Sequence, residues 1–198
     1  MSGDEACTSR ALLARATAGD TAAFGTLVRM HQRPVYSLAL RMLSDRHQAE
    51  DLAQEVFLQL YRSLAALESE DHLSFWLRRV TMHRAIDRLR RERRYAAMPL
   101  ADAEMASDSA EADPILERRL RGLLEELAPA ARAVIVLRYQ EDLDPLEIGR
   151  TLKMSVNTVK SHLKRSLALL RERIAVPGSG AGSPTPPRPL PSGHRSLI

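Results

Sequence analysis

Apolar residues recur at helical spacing along most of this chain, and this periodicity constrains the fold more than any other feature. Leu52, Val56, Leu60 and Leu64 follow one another at intervals of four, which places them on one face of an α-helix. No segment longer than a few residues shows the alternation that predicts a half-buried strand. Aromatic residues make up only 4% of the chain, too few to be typical of a β-sandwich or barrel. We therefore predict an all-α protein.

Composition divides the helical pattern into two small domains, 9–94 and 114–175. Between them, 95–113 is rich in Ala, Asp and Ser, and its stretch 101–113 holds five acids and no base. We interpret this segment as a flexible acidic linker. The last 22 residues hold six prolines and four glycines, so 176–198 is predicted to be a disordered tail.

The apolar pattern, with its caps and breaks, also predicts individual helices. Pro34 is expected to open a new helix, because proline suits the first turn. The predicted helices are 9–18, 20–32, one from Pro34, 48–66, 74–93, 114–127, 129–139, 145–152 and 155–174.

The net charge of +4 conceals two strongly basic blocks. The first, 75–95, holds eight arginines against two acids, and the second, 153–173, holds six bases against one acid. Such blocks indicate two surfaces that bind polyanions. An extended linker of this length reaches roughly 60 Å, nearly two turns of duplex DNA at about 34 Å each. The two surfaces are therefore expected to contact separate sites on one duplex.

The second basic block has the pattern of a helix-turn-helix. Asp144 and Ser155 are predicted N-caps, Pro145 suits a first turn, and Gly149 permits close approach of a second helix. The outer face of the second helix carries base-edge and phosphate donors: Asn157, Thr158, Lys160, Ser161, His162, Lys164 and Arg165. The alternative is an ordinary solvated amphipathic helix.

The first basic block follows an aromatic pair, Phe75 and Trp76. Aromatic rings beside a basic stripe suit the stacking of unpaired bases, but two adjacent core residues would give the same pattern. Basic character alone is compatible with nucleic acid or with an acidic membrane surface.

The sequence gives little support for several other classes of protein, including disulfide-rich proteins, metalloproteins, enzymes and membrane proteins. The single cysteine, Cys7, excludes an internal disulfide framework and a cysteine-rich zinc site. The six histidines lack metal-ligand spacing and no glycine-rich phosphate loop occurs, so we predict no catalytic residues, no metal and no cofactor. No apolar run approaches the roughly 18 residues of a membrane span, and the acidic, polar start does not look like a signal peptide. A soluble cytoplasmic protein that is not an enzyme and does not insert into membranes is expected.

Three segments together resemble a bacterial RNA polymerase sigma factor of the extracytoplasmic-function (ECF) class of the sigma-70 family. They are AEDLAQEVFLQLYRSL, SFWLRRVTMHRAIDRLRRERR and TVKSHLKRSLALLRE, in the family's order, and the resemblance covers about 10–93 and 113–174. It implies a promoter-melting domain 2, a linker, and a domain 4 that reads the −35 element. It also implies three partners: promoter DNA, core RNA polymerase bound through its β′ clamp helices and β flap, and an anti-sigma factor.

The resemblance assigns roles residue by residue. A loop at 67–74 would capture a flipped base, and the helix-turn-helix donors given above would bind the −35 duplex. The polymerase-binding residues would be Glu50, Asp51, Gln54, Glu55 and Leu58. The −10 residues would be Phe75, Trp76, Arg78, Arg79, His83, Arg84, Arg88 and Arg91.

Two positions depart from the family pattern. His83 stands where the family usually has Asn, and Asn157 to His162 replaces Gly-Thr-Val-Lys-Ser-Arg. Because histidine cannot form the arginine fork to guanine, the promoter preference is expected to differ. A stand-alone helix-turn-helix regulator with a helical sensor domain and a helical protein–protein adaptor are the alternative functions.

Overall fold

The computed structural model describes residues 2–67, 69–96 and 114–175, which form α-helices and one 3₁₀ turn and contain no strand. We call α1–α4 the N-terminal unit and α5–α8 the C-terminal unit. The helices are α1 (Ser2–Thr17), α2 (Thr21–Leu43), α3 (Arg46–Ser63), α4 (Glu70–Ala96), α5 (Pro114–Glu126), α6 (Pro129–Gln140), α7 (Pro145–Leu152) and α8 (Val156–Ala175), with the 3₁₀ turn at Leu64–Ala66.

The prediction that Pro34 opens a separate helix is wrong, because α2 continues through it. Proline inside a helix removes one backbone hydrogen bond, at a cost of about 3 kcal/mol. Buried residues on both sides of Pro34, among them Leu27, Val35 and Leu38, form one apolar stripe. Burying each such side chain contributes about 1.5–3 kcal/mol, so the continuous stripe outweighs the missing bond.

The predicted loop at 67–74 is also shorter than expected. Helix α4 begins at Glu70 rather than at Ser74, because Ser69 supplies an earlier cap. Its Oγ accepts the backbone N–H of His72 at 3.2 Å, and its carbonyl accepts that of Leu73 at 2.9 Å. The segment that precedes α4 is therefore confined to the few residues after the 3₁₀ turn.

Aspartate caps set the starts of two helices in the N-terminal unit. Asp20 accepts the backbone N–H groups of Ala22 and Ala23 at the start of α2, and Asp45 accepts that of Gln48 in α3. The hydrogen bond from the Ala23 N–H, followed by that from Arg15, lowers the pKa of Asp20. The negative charge of each aspartate is stabilised by the partial positive charge of the helix N-terminus.

A hydrophobic core extends across both units. Met42 of α2 and Met82 of α4 lie in one buried cluster with Leu137 of α6, Ile148 of α7 and Val159 of α8. A second cluster belongs to the N-terminal unit alone, between α1 and the facing sides of α2–α4. The two units thus pack against each other through a shared core, which the sequence did not predict. The predicted linker beyond residue 96 and the predicted tail beyond residue 175 lie outside the described residues.

None of the helices in the described ranges is both long enough and apolar enough to cross a membrane.

Candidate nucleic-acid and protein interfaces

The helix-turn-helix forms as its sequence predicts, with a capped start for each helix. Asp144 Oδ1 accepts the Leu146 and Glu147 N–H groups at 2.7 and 2.8 Å. In turn, the Glu147 carboxylate accepts the Asp144 N–H at 2.8 Å. Ser155 Oγ accepts the Thr158 N–H at 3.1 Å. These reciprocal bonds satisfy N–H groups that a helix end leaves unpaired.

The turn between α7 and α8 is tight because Gly149 lies beneath it. A Cβ atom added to Gly149 would lie 2.8 Å from the backbone oxygen of Met154, which is closer than van der Waals contact allows. Lys153 ends α7 in the left-handed conformation, at φ 55°. Glycine at 149 therefore fixes how closely α8 approaches α7, and so fixes the direction in which α8 presents its outer face.

The outer face of α8 is open to solvent. Val159, Ser166 and Leu170 are buried on its inner side, which orients the opposite side outward. We call this the recognition face, and its seven predicted residues are all exposed except His162, which is half-buried: Asn157, Thr158, Lys160, Ser161, His162, Lys164 and Arg165. Its members are hydrogen-bond donors or cations with no acid among them.

A second basic surface, which we call the arginine face, lies along α4. Of its predicted members, Arg91 is exposed and the rest are half-buried: Phe75, Trp76, Arg78, Arg79, His83, Arg84 and Arg88. The two aromatic rings differ in surroundings. Trp76 packs against the core of the N-terminal unit, whereas Phe75 lines a cavity that also involves Leu143 and Thr151 of the C-terminal unit.

Glu55 of α3, one of the residues predicted to bind polymerase, contacts two arginines of the arginine face. Its carboxylate accepts Arg84 Nη1 at 2.6 Å and Arg88 Nη2 at 2.9 Å. Arg84 Nε also donates to Gln59 Oε1, and Arg88 Nη1 donates to the Gln48 carbonyl. The carboxylate therefore holds two arginines in fixed positions beside an open, arginine-lined pocket of about 910 Å³.

A third surface is an apolar groove between α2 and α3, with a volume of about 920 Å³. Glu50, Gln54 and Leu58 line it, and Asp51 is exposed nearby without lining it. Leu58 and Tyr61 keep 61% and 53% of their surface exposed and lie in the same groove, and a contiguous exposed apolar surface is typical of an interaction site. Tyr61 meets Phe24 edge to face, with ring centroids 5.1 Å apart.

The sequence reasoning missed the aromatic part of this groove. Phe24, Tyr36 and Tyr61 line it, yet their spacing along the chain fits an ordinary buried stripe. Of these residues, only Tyr61 could have been recognised from sequence as a surface residue, since it lies next to the apolar stripe of α3 rather than within it.

Comparison with known proteins shows which family this chain belongs to. The models of sigma-70 region 2 and of sigma-70 region 4 match residues 27–95 and 117–170. The ECF RNA polymerase sigma factor SigW of Bacillus subtilis is 31% identical over an alignment that covers 79% of this chain and 91% of SigW. SigK of Mycobacterium tuberculosis H37Rv is 32% identical, over 84% of this chain and 93% of SigK.

This chain is an ECF RNA polymerase sigma factor.

A solved structure agrees in fold with this sigma factor. CnrH, determined in complex with the cytosolic domain of CnrY, matches with a TM-score of 0.63 at 23% identity, over 86% of this chain and 99% of CnrH. This similarity confirms the all-α fold, and the family models and relatives confirm the predicted family. The sigma factor directs RNA polymerase to specific promoters and initiates transcription there.

The region 2 match contains the arginine face and most of the α2–α3 groove, and the region 4 match contains the recognition face. The helix-turn-helix regulator and the adaptor, which were alternatives from the sequence, do not account for both matches together.

Proposed function

We propose that the recognition face reads the −35 element and that the arginine face binds the −10 element. The observation that carries the −35 assignment is the structure of α8, whose buried stripe turns the recognition face outward, with six exposed donor residues, a half-buried His162 and no acid. Asn and Ser side chains suit base edges, and Lys and Arg suit phosphates. His162 replaces the arginine fork with a shorter donor, and we therefore expect a −35 preference that differs from the family norm.

Four arginines of α4 supply the phosphate contacts in the proposed −10 site. Arg84, Arg88 and Arg91 line one open pocket, and Arg79 lines a neighbouring pocket together with Arg84. Their cations are therefore available along the path of a single strand. Phe75 is the better placed of the two aromatic residues to stack on an unpaired base, since Trp76 contributes to the core. Capture of unstacked bases costs a few kcal/mol per base, which these contacts must offset.

We assign core-polymerase binding to the α2–α3 groove, with Glu50, Gln54 and Leu58 as contacts. The polar residues that line this exposed apolar groove are Glu50, Arg33 and two glutamines. Such a groove suits a partly apolar helical partner that also carries charged side chains, such as the clamp helices of β′. Glu55 is reassigned: because it is bonded to Arg84 and Arg88, we propose that it positions these arginines for DNA.

Three further features complete the proposal. The sigma factor carries no catalytic role of its own, and it acts in the cytoplasm where RNA polymerase works. CnrH was solved in complex with the cytosolic domain of CnrY, and another related fold, RpoE of Bartonella quintana, was crystallised with the anti-sigma factor NepR. An anti-sigma factor for the present chain is proposed on that basis.

The experiment that tests the −10 assignment is open-complex formation by core polymerase with the variant Arg88→Glu Arg91→Glu. Because charge reversal repels the phosphates of the non-template strand, we expect open complexes to fall by at least about tenfold, with core binding unchanged. Arg10→Glu Arg46→Glu makes the same charge change at two exposed positions outside all three surfaces. Equal transcription by the two double variants would refute the assignment.

A further inference from the structure

All the lysines of this chain lie in one short segment of the helix-turn-helix. The chain has 29 lysine and arginine residues, and only three of them are lysines: Lys153, Lys160 and Lys164. They fall within 12 residues, at the turn and in the first half of α8, whereas arginines occur along the whole chain. A reagent that modifies lysine side chains but not guanidinium groups would therefore change this segment and leave the arginine face as it is.

The three lysine amines are open to solvent and have no protein partner. Each of the three residues is exposed, and none of their side chains forms a hydrogen bond or an ion pair within the described part of the chain. The sequence between Glu147 and Glu172 contains no acid, so no neighbour along α8 neutralises them. These amines differ in this respect from the guanidinium groups of Arg84 and Arg88, which Glu55 holds.

Two of the lysines form a small cationic cluster on the recognition face. Lys160 and Lys164 are four residues apart in α8, so they lie on the same side of the helix. Arg165 follows directly and is also exposed. Three cations without an acid attract small anions and raise their local concentration. The cluster therefore favours an encounter between a lysine amine and an anionic reagent.

Lysine differs from arginine in that its amine can be acetylated, and acetylation removes both the charge and an ion-pair donor. Resting on the proposed −35 assignment, we propose that Lys160 and Lys164 are modification sites whose Nζ atoms accept an acetyl group from an anionic acetyl donor. The acetylated recognition face keeps the charge of Arg165 and loses those of the two lysines. The sigma factor then binds the −35 duplex weakly, while its arginine face is unchanged.

The transfer needs no oxidant or reductant. The neutral lysine amine attacks the carbonyl carbon of the acetyl group, and a C–N bond forms. The bond from that carbon to a phosphate oxygen, or to the sulfur of coenzyme A, breaks, and the leaving group keeps the electron pair. The nitrogen gives up one proton to water, so the product is a neutral amide.

The rate of acetylation tests the site itself. The full-length variant Arg46→Lys is treated with acetyl phosphate in one arm and with acetyl-coenzyme A in the other, and peptide mass spectrometry follows each lysine. The introduced lysine is the matched reference, because position 46 is exposed and has an acid, Glu50, four residues further on. We expect Lys160 and Lys164 to react about threefold or more faster than this reference in at least one arm, and that arm identifies the donor. Equal rates in both arms would overturn the modification site.

The effect on DNA binding is measured by fluorescence anisotropy with a duplex of random sequence, and each protein is compared with itself before and after acetylation. Loss of two phosphate contacts lowers the slope of log K against log salt by about two units and the affinity by about tenfold. We expect this loss for the unsubstituted chain and for Lys153→Arg. Acetylation should change the affinity of Lys160→Arg Lys164→Arg by less than about twofold, because guanidinium groups stay charged. An equal loss in all three proteins would overturn the proposal.

A neutral variant, Lys160→Gln Lys164→Gln, separates this proposal from the proposed function. If α8 does not read the −35 duplex, this variant keeps its affinity for duplex DNA, while the difference in acetylation rate persists. If Lys160 and Lys164 are not modification sites, the difference in rate is absent, while the glutamine variant still binds duplex DNA more weakly than the unsubstituted chain.

Discussion

Replacing Gly149 by alanine tests whether the tight turn sets the position of α8. The added methyl group would lie 2.8 Å from the Met154 backbone oxygen, and a backbone atom cannot turn aside as a flexible side chain can. Overpacking of this kind costs about 1–3 kcal/mol, while alanine gains up to about 1 kcal/mol over glycine in a helix. We expect Gly149→Ala to lower the free energy of unfolding by about 1–2 kcal/mol.

The matched control is Gly122→Ala in α5. A Cβ atom at Gly122 meets no heavy atom within 4 Å, so only the helix propensity changes, and stability should rise by about 0.5–1 kcal/mol. Urea unfolding of both full-length variants gives the two free energies, and fluorescence anisotropy gives their affinities for duplex DNA. If Gly149→Ala is as stable as Gly122→Ala and binds duplex equally well, the role assigned to this turn is wrong.

Three other predictions follow from single contacts. Asp144→Ala removes the cap shared with Glu147 and should cost about 1 kcal/mol of unfolding free energy, measured by urea titration; an unchanged midpoint would contradict the capping box. Glu55→Gln should steepen the salt dependence of DNA binding by about one unit in the slope of log K against log salt, and it should leave the affinity for core polymerase unchanged. Glu50→Gln should lower the affinity for core polymerase. If instead Glu55→Gln lowers that affinity and Glu50→Gln does not, Glu55 is a polymerase contact. His31 has a lowered pKa, chiefly because it is buried, with Glu70 acting in the opposite direction. The unfolded chain therefore takes up the proton first as pH falls below about 6.5, and stability declines there by at most about 1.4 kcal/mol per pH unit; thermal melts of His31→Leu should lose this pH dependence.

The local elements of this protein could be predicted from sequence because their determinants lie close together along the chain. Asp144, Glu147 and Ser155 are within a few residues of the N–H groups that they cap, and the stripes of α3 and α8 repeat within single helices. Each of the three family motifs likewise lies within one short segment of the chain. The sequence predicted one helix too many because Pro34 was expected to begin a new helix. The hydrogen bond that Pro34 removes costs less than is gained by burying apolar side chains on both sides of it in α2.

The contact between the units depends on pairs that no local pattern reveals. Arg132 and the Arg41 carbonyl are 91 residues apart, and Arg78 and Glu141 are 63 apart. From sequence, Arg78 was assigned to the −10 surface and Glu55 to the polymerase-binding residues. A helix surface has several sides, and which neighbour each side meets is decided only when the helices pack.

The sequence by itself therefore determined the helices, the helix-turn-helix and the family, since caps, periodicity and motifs act over a few turns of chain. Only the tertiary structure decided which charges are exposed on the proposed DNA-binding surfaces and which face each other. Burial of one apolar core by both units brings Glu141 against Arg78 and turns Glu55 toward Arg84, because packing that removes apolar surface from water also fixes the partners of the polar groups around it.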